Sequence, residues 1–192
     1  MKRGFTLIEL LVVISIIGIL SVVVLPLFQG ATGNARGVTT ASTKRQLTKA
    51  AQYYELDMGF YPPDVSRGWD PGFERQDPWN PDVESGAYEG TAGIDCGHCP
   101  DDWETLLAER WNGPYILWPQ KTAWGGRFDY NYWPDGEERY GCILSPGIYA
   151  GAQRDYDEEN NIPEVDEQRM IEQGIDDDEC VNGESQLLLF KL

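Results

Sequence analysis

Histidine is almost missing from this chain: His98 is the only one in 192 residues. A single imidazole excludes any metal site built on several histidines and argues against a histidine-based catalytic triad. No motif arranges Ser, Lys or carboxylates for catalysis either, so a non-enzymatic chain is expected. Acid is scarce at the start, where residues 1–54 hold six basic residues and one acid, Glu9, a net of +5. Base is scarce afterwards, with nine basic and 31 acidic residues and a net of −22. Such a head repels nucleic acid, favours cations or basic partners, and stays soluble if exported. The chain has no internal repeat, and its length suits one domain plus an appendage.

What is present at the start is a long apolar tract. From Phe5 to Phe28 the only strongly polar side chain is Glu9, while Thr6, Ser15 and Ser21 can bond back to helix carbonyls. As a helix those residues extend ~36 Å, enough for a bilayer core of ~30 Å. A secretory signal has an apolar region of only ~7–15 residues before its cleavage site, so this tract is too long for one. Lys2 and Arg3 place the N-terminus in the cytoplasm and the head outside. A carboxylate in such a span calls for a partner, and no Lys or Arg occurs between Glu9 and Arg36. Cutting between Gly4 and Phe5 would create one, the α-ammonium of Phe5, in the same chain or in a neighbour.

Gly4 followed by Phe5-Thr6-Leu7-Ile8-Glu9-Leu10 resembles the processing site of type IV pilins and of type II secretion pseudopilins. The resemblance implies cleavage after Gly4 by prepilin peptidase, N-methylation of Phe5, and a role for Glu9 in filament assembly. Pro26 matches a proline often found late in this tract. The implied fold is α+β: a long N-terminal helix, its apolar half transmembrane or filament core, packed against a C-terminal antiparallel β-sheet. The implied partners are prepilin peptidase, the membrane, an inner-membrane assembly platform, other pseudopilins and further copies in a helical homo-oligomer.

Five segments are expected: a leader 1–4, a transmembrane or filament-core helix 5–28, a weak stretch 29–37, the second half of the stem 38–59, and an acidic head 60–192. Gly30, Gly33 and Gly37 weaken the third, which either unwinds in a filament or forms a kinked helix. Ala41, Leu47, Ala51, Tyr54 and Met58 form an apolar stripe suited to packing under a sheet, and Gly59 is a plausible C-cap. YELDMGFYP (54–62) and GPYILWPQKTAWGGRFDYNYW (113–133) resemble segments of the G-type major pseudopilins, although Thr122-Ala123 replaces their usual Asp-Pro. Residues 64–100 read as a long ordered loop. A short helix follows, capped by Asp101, with Trp103, Leu106, Leu107 and Trp111 on its buried face. FDYNYW and RYGCIL read as strands around PDGEE, and SQLLLFKL as a last strand.

In an exported head the four cysteines suggest disulfides. The preferred pairing is Cys96–Cys99 and Cys142–Cys180, with three connectivities open. Cys96-Gly97-His98-Cys99 has oxidoreductase spacing but lies in a Gly/Pro-rich loop, and a zinc site would want a second close pair. The stretch 155–166 places oxygen ligands at EF-hand-like spacing: Asp155, Asp157, Glu159, Asn161 and Asp166, with Ile162 at the apolar eighth position. Asn160 stands at the glycine position and Asp166 at that of the bidentate Glu. Calcium is the expected cofactor. The G-type resemblance also implies calcium, after a Ser-x-Gly step like Ser145-Pro146-Gly147, but Tyr149 replaces the first aspartate of that set.

The expected function is a structural subunit of a type II secretion pseudopilus or related filament, inserted in the inner membrane before assembly. The alternatives are a type IV pilin for adhesion, motility or surface attachment, and a membrane-anchored calcium-binding protein that never polymerises. A DNA-uptake filament is disfavoured by the charge of the head.

Overall fold

The computed structural model describes residues 6–66, 68–79, 94–119, 121–136, 138–139, 142–153, 162–178, 180–181 and 188–192; at 23–29, 95, 139 and 188–190 it describes the backbone only. The chain divides into two compact units, 1–36 and 37–192. One helix, α1 (Leu7–Met58), supplies residues to both. The glycine-containing stretch 29–37 is helical in this isolated chain.

Within the second unit, Leu47, Ala51, Tyr54 and Met58 of the expected stripe are each no more than 1% exposed, Ala41 is half-buried, and Ala50 joins them at 1%. Steps of three and four from Leu47 through Ala51 and Tyr54 to Met58 put them on one face of the helix. Gly59, at φ 83°, ends the helix in the left-handed conformation that glycine adopts without steric cost, and its N–H bonds to the Glu55 carbonyl at 2.7 Å.

The stripe packs on a three-stranded antiparallel sheet. β3 (Phe128–Trp133) pairs with β6 (Gly147–Ala152), and β6 pairs with β7 (Leu188–Lys191). Phe128, Tyr130, Ile148, Ala150 and Ala152 join the helix stripe in one core. Two minor pairs complete the strands: β1 (Asp64–Val65) with β2 (Ile94–Asp95), and β4 (Glu138–Arg139) with β5 (Cys142–Ile143). The last strand is as expected. The partner of FDYNYW is not RYGCIL, however, but GIYAGA. After β3, Gly136 takes φ 60°, and a Cβ there would lie 2.8 Å from Pro146 Cδ and 2.9 Å from the Leu144 carbonyl.

The loop after β1 is anchored by Asp70, which is fully buried. Its Oδ1 accepts the N–H groups of Gly72 (3.3 Å) and Phe73 (2.8 Å), and its Oδ2 those of Glu74 and Arg75 (3.0 Å each). This fold delivers Phe73 into the core against Tyr54 and Tyr130. Arg75 stacks on Trp79 at 3.7 Å. The short helix α2 (Trp103–Arg110) buries Leu107 and half-buries Trp103, Leu106 and Trp111. Its N-cap position is Asp102 rather than Asp101, and the Asp102 side chain makes no capping bond. Pro100 and Asp102 carbonyls receive the first N–H groups instead, so the chain enters through a turn one residue later than expected.

Candidate functional site

At the start of α1, Glu9 has a local role beyond the expected one. The Thr6 backbone N–H donates to Glu9 Oε2 at 2.8 Å and the Thr6 hydroxyl donates to the same oxygen at 2.6 Å. The Glu9 N–H points back at Thr6 Oγ1, at 3.4 Å. This is a capping box, in which the N-cap hydroxyl and the acid three residues later serve the helix's unpaired donors reciprocally. The signal was in the sequence, as Thr-x-x-Glu before an apolar run. Both donors survive a cut between Gly4 and Phe5, because Thr6 keeps its amide. Glu9 is exposed, and only Oε2 is engaged among the described residues. Oε1 is available to a second donor.

Beyond the cap, the first part of α1, from Leu7 to Val22, exposes its apolar side chains on every face. Leu7 is 82% exposed, Ile19 69% and Val22 75%. Ser15 and Ser21 donate to the carbonyls of Leu11 (2.8 Å) and Ile17 (2.7 Å), which removes their hydroxyls from the list of groups needing a partner. Among the described residues no helix is long and apolar enough to cross a membrane. The described apolar side chains of this stretch run from Leu7 to Val22, about 24 Å of helix against the ~30 Å of a bilayer core. Gly4, Phe5 and the side chain of Pro26 lie outside the described residues.

In the head, Cys96 pairs with Cys99 and Cys142 with Cys180. The second bridge ties the segment before β7 to β5. His98 is held by its surroundings: its ring lies on Tyr132 with centroids 3.9 Å apart, and Nε2 is 3.1 Å from the Tyr61 carbonyl and 3.0 Å from that of Pro62. Two carbonyl partners require Nε2 to carry the proton. The Cys96, His98 and Cys99 ligand atoms lie within 4.8 Å of one another, but disulfide-bonded sulfurs are not thiolate ligands. A cavity of about 300 Å³ adjoins them, lined by Asp64, Gly97, His98, Tyr132 and Pro134.

Of the EF-hand-like set, Asp155, Asp157, Glu159 and Asn161 lie outside the described residues. Asp166 sits in the first turn of α3 (Glu164–Glu172) and is buried. Its Oδ2 accepts the Trp124 indole N–H at 3.0 Å, and its Oδ1 pairs with the Arg169 guanidinium at 2.8 Å. Both oxygens therefore already have donors, one of them cationic.

Comparison with known proteins bears on the N-terminus. The prokaryotic N-terminal methylation motif matches residues 1–25. The type IV major pilin protein PilE of Neisseria gonorrhoeae is 39% identical over 64 residues, covering 33% of this chain and 38% of that pilin. The type IV major pilin protein PilE1 of the same organism is 39% identical over 62 residues, covering 32% of this chain and 29% of that pilin. The chain thus spans well under half the length of the curated relatives it matches. No solved structure matches it. A methylation motif, a capped and exposed apolar helix start, and a small antiparallel sheet after a long helix form an α+β chain consistent with a type IV pilin fold. Residues 1–25 carry the N-terminal methylation motif, and about a third of the chain is similar to type IV major pilins.

Proposed function

We propose that this chain is a non-enzymatic subunit of a type II secretion pseudopilus or a closely related filament. The observation that carries the reading is the lone acid of the methylation motif, held at the first turn of a helix whose apolar side chains face outward. Before assembly the tract 5–28 lies in the inner membrane with the head outside. Prepilin peptidase cuts after Gly4, and the subunit then passes into a helical homopolymer whose core is the bundled helices. Lost lipid contacts are replaced by helix–helix packing, and Glu9 Oε1 meets a neighbour's Phe5 ammonium. Residues 29–37, helical in the isolated chain, are the stretch that extends if packing demands it. The assembly platform and other pseudopilins are the expected partners.

A Glu9→Ala chain tests the reading, because it should still be inserted and cut but form no filaments, seen by microscopy of cells overproducing the subunit. Normal filaments from that variant would overturn it. Mass measurement of the mature chain should show residues 1–4 absent and one methyl group added. A second reading, a surface pilin for attachment or motility, is favoured by the likeness to the two gonococcal major pilins. Long surface fibres, with protein secretion intact after deletion, would select it.

Calcium belongs to the proposal through the oxygen spacing of 155–166. With Asp166 held by Trp124 and Arg169, the ligands there are Asp155, Asp157, Glu159 and Asn161. Calcium added to chelator-treated protein should raise its melting temperature, and an unchanged midpoint would remove calcium from the proposal.

A further inference from the structure

The cavity beside His98 is built where three elements of the head meet. Asp64 comes from β1, Gly97 and His98 from the turn after β2, and Tyr132 from β3, with Pro134 just beyond that strand. The pairing of β1 with β2 sets Asp64 opposite Asp95, one residue before the turn begins. The turn itself is closed twice, by the Cys96–Cys99 bridge and by the Cys99 N–H bonding to the Cys96 carbonyl at 2.9 Å. Asp64 Oδ2 accepts the Tyr132 N–H at 3.0 Å, which fixes the carboxylate against β3. His98 is fixed from the other side, its ring on Tyr132 and its Nε2 on the Tyr61 and Pro62 carbonyls.

The lining selects by charge. Its described members hold one carboxylate, a phenol ring and an imidazole, and no Lys or Arg. A carboxylate accepts about four hydrogen bonds, so Asp64 can serve the Tyr132 N–H and a ligand at once. With its Nε2 proton directed at carbonyls, the neutral His98 ring offers Nδ1 as an acceptor. An anion meets no cation among the described lining residues, and the surrounding head, at −22, repels it. The volume of about 300 Å³ also limits the ligand. It stands at the lower end of the roughly 300–1,000 Å³ of small-molecule sites, so it suits one side chain rather than a nucleotide.

We propose that this cavity binds the guanidinium of an arginine presented by a basic partner protein. A flat cation answers both features of the lining: aromatic faces attract it, and a carboxylate takes its N–H groups. Guanidinium suits the pair better than ammonium, because it is planar, stacks on rings and donates through a fixed fork. The site rests on the fold of the head and does not depend on the filament reading. The Cys96–Cys99 bridge then has a function, which is to hold the Gly97–His98 wall in place.

The test titrates the full-length chain in detergent, labelled with nitrogen-15, with N-acetyl-arginine amide. Amide signals of Gly97, His98 and Tyr132 should move along one saturable curve, while those of Leu47–Met58 stay still. N-acetyl-citrulline amide, of similar length but uncharged, should bind at least about fivefold more weakly. Asp64→Asn keeps an oxygen for the Tyr132 N–H and should lose affinity for the arginine probe by a similar factor, with citrulline unaffected. Replacing Cys96 and Cys99 together by Ser should also weaken arginine binding, with the Cys142–Cys180 bridge left intact. Equal affinity for the two probes would overturn the proposal on the unaltered chain, without need of any variant. Unchanged arginine affinity in Asp64→Asn would overturn it as well. Tighter binding of free putrescine than of the blocked arginine would overturn the assignment to a protein side chain.

Discussion

The two halves of α1 are built from the same backbone and obey opposite rules. From Leu7 to Val22 apolar side chains are exposed, and the polar side chains bond within their own helix, Thr6 with Glu9 in the capping box and Ser15 and Ser21 to backbone carbonyls. From Leu47 to Met58 one apolar stripe, Leu47, Ala50, Ala51, Tyr54 and Met58, is buried against aromatics from the loop after β1 and from β3, while Tyr53 and Leu56 stay exposed on the other side. A helix that exposes apolar residues on all faces finds its free energy in another phase or another molecule. A helix with one apolar stripe finds it in its own chain. If the proposed filament forms, assembly belongs to the first half and folding to the second, so substitutions in the two halves should separate filament formation from head stability.

The largest effect is expected at Tyr54, fully buried and in edge contact with Phe60, Phe73 and Tyr115. Tyr54→Ala should cost the head about 3–5 kcal/mol, as for other large aromatic deletions, measured by denaturant unfolding. Ile14→Ala, on the exposed half, should leave the same transition within ~0.5 kcal/mol. Equal losses would show that the two halves are not energetically distinct. Tyr54→Phe sharpens the point, because the buried Tyr54 hydroxyl has no partner among the described residues. Removing it should be neutral or stabilise the head by up to ~1 kcal/mol.

The next effect is electrostatic and belongs to the head alone. Burial pushes the Asp70 carboxyl up to about 6, and the N–H groups of Arg75, Phe73, Glu74 and Gly72 offset only part of that. An unfolded Asp titrates near 4, so between about pH 4 and 6 the folded state holds the extra proton. The contribution of Asp70 to stability is therefore fully present below about 4 and lost as pH rises through 6. A shift of two units corresponds to about 3 kcal/mol. Asp70→Asn presents an amide to the Glu74 and Arg75 N–H groups and should be less stable at every pH. Its deficit against wild type should widen by up to about 3 kcal/mol as pH falls from 7 to 4, and a constant deficit would contradict this assignment.

Much of this contrast can be read from residue order, and the failures have physical causes. The stripe of Leu47, Ala51, Tyr54 and Met58 and the C-cap at Gly59 are local, so spacing alone exposes them. The strand Gly147–Ala152 escaped because its glycines and alanines carry little strand propensity; its place comes from close packing between two aromatic-bearing strands, a tertiary effect. Ser145-Pro146-Gly147 drew attention as the start of a loop for the same reason. The buried Asp70 and Asp176 are beyond pattern reading, since an aspartate in a turn is ordinarily solvated. Their burial follows from what the neighbouring Phe73 and Ile175 do. The capping box is fully local, since Thr6 and Glu9 lie three residues apart at the start of the helix.

That near partner gives the smallest expected effect and the finest division between the halves. Thr6→Val removes the capping hydroxyl but keeps the amide that also donates to Glu9. It should fray the first turn at a cost of about 1 kcal/mol, typical of a lost N-cap. Head unfolding should not register it, because the cap lies in the first unit. Hydrogen exchange at residues 7–10 should, with protection falling several-fold. Glu9→Gln separates the two roles of the acid, because an amide oxygen can still accept from Thr6 but offers no charge to an ammonium. If Glu9 serves assembly by charge, Glu9→Gln should lose filaments while keeping protection at 7–10, and Thr6→Val should do the reverse. If both variants lose protection and filaments together, the cap and the assembly contact are a single device, and the division of α1 into a folding half and an assembly half begins one turn later than Thr6.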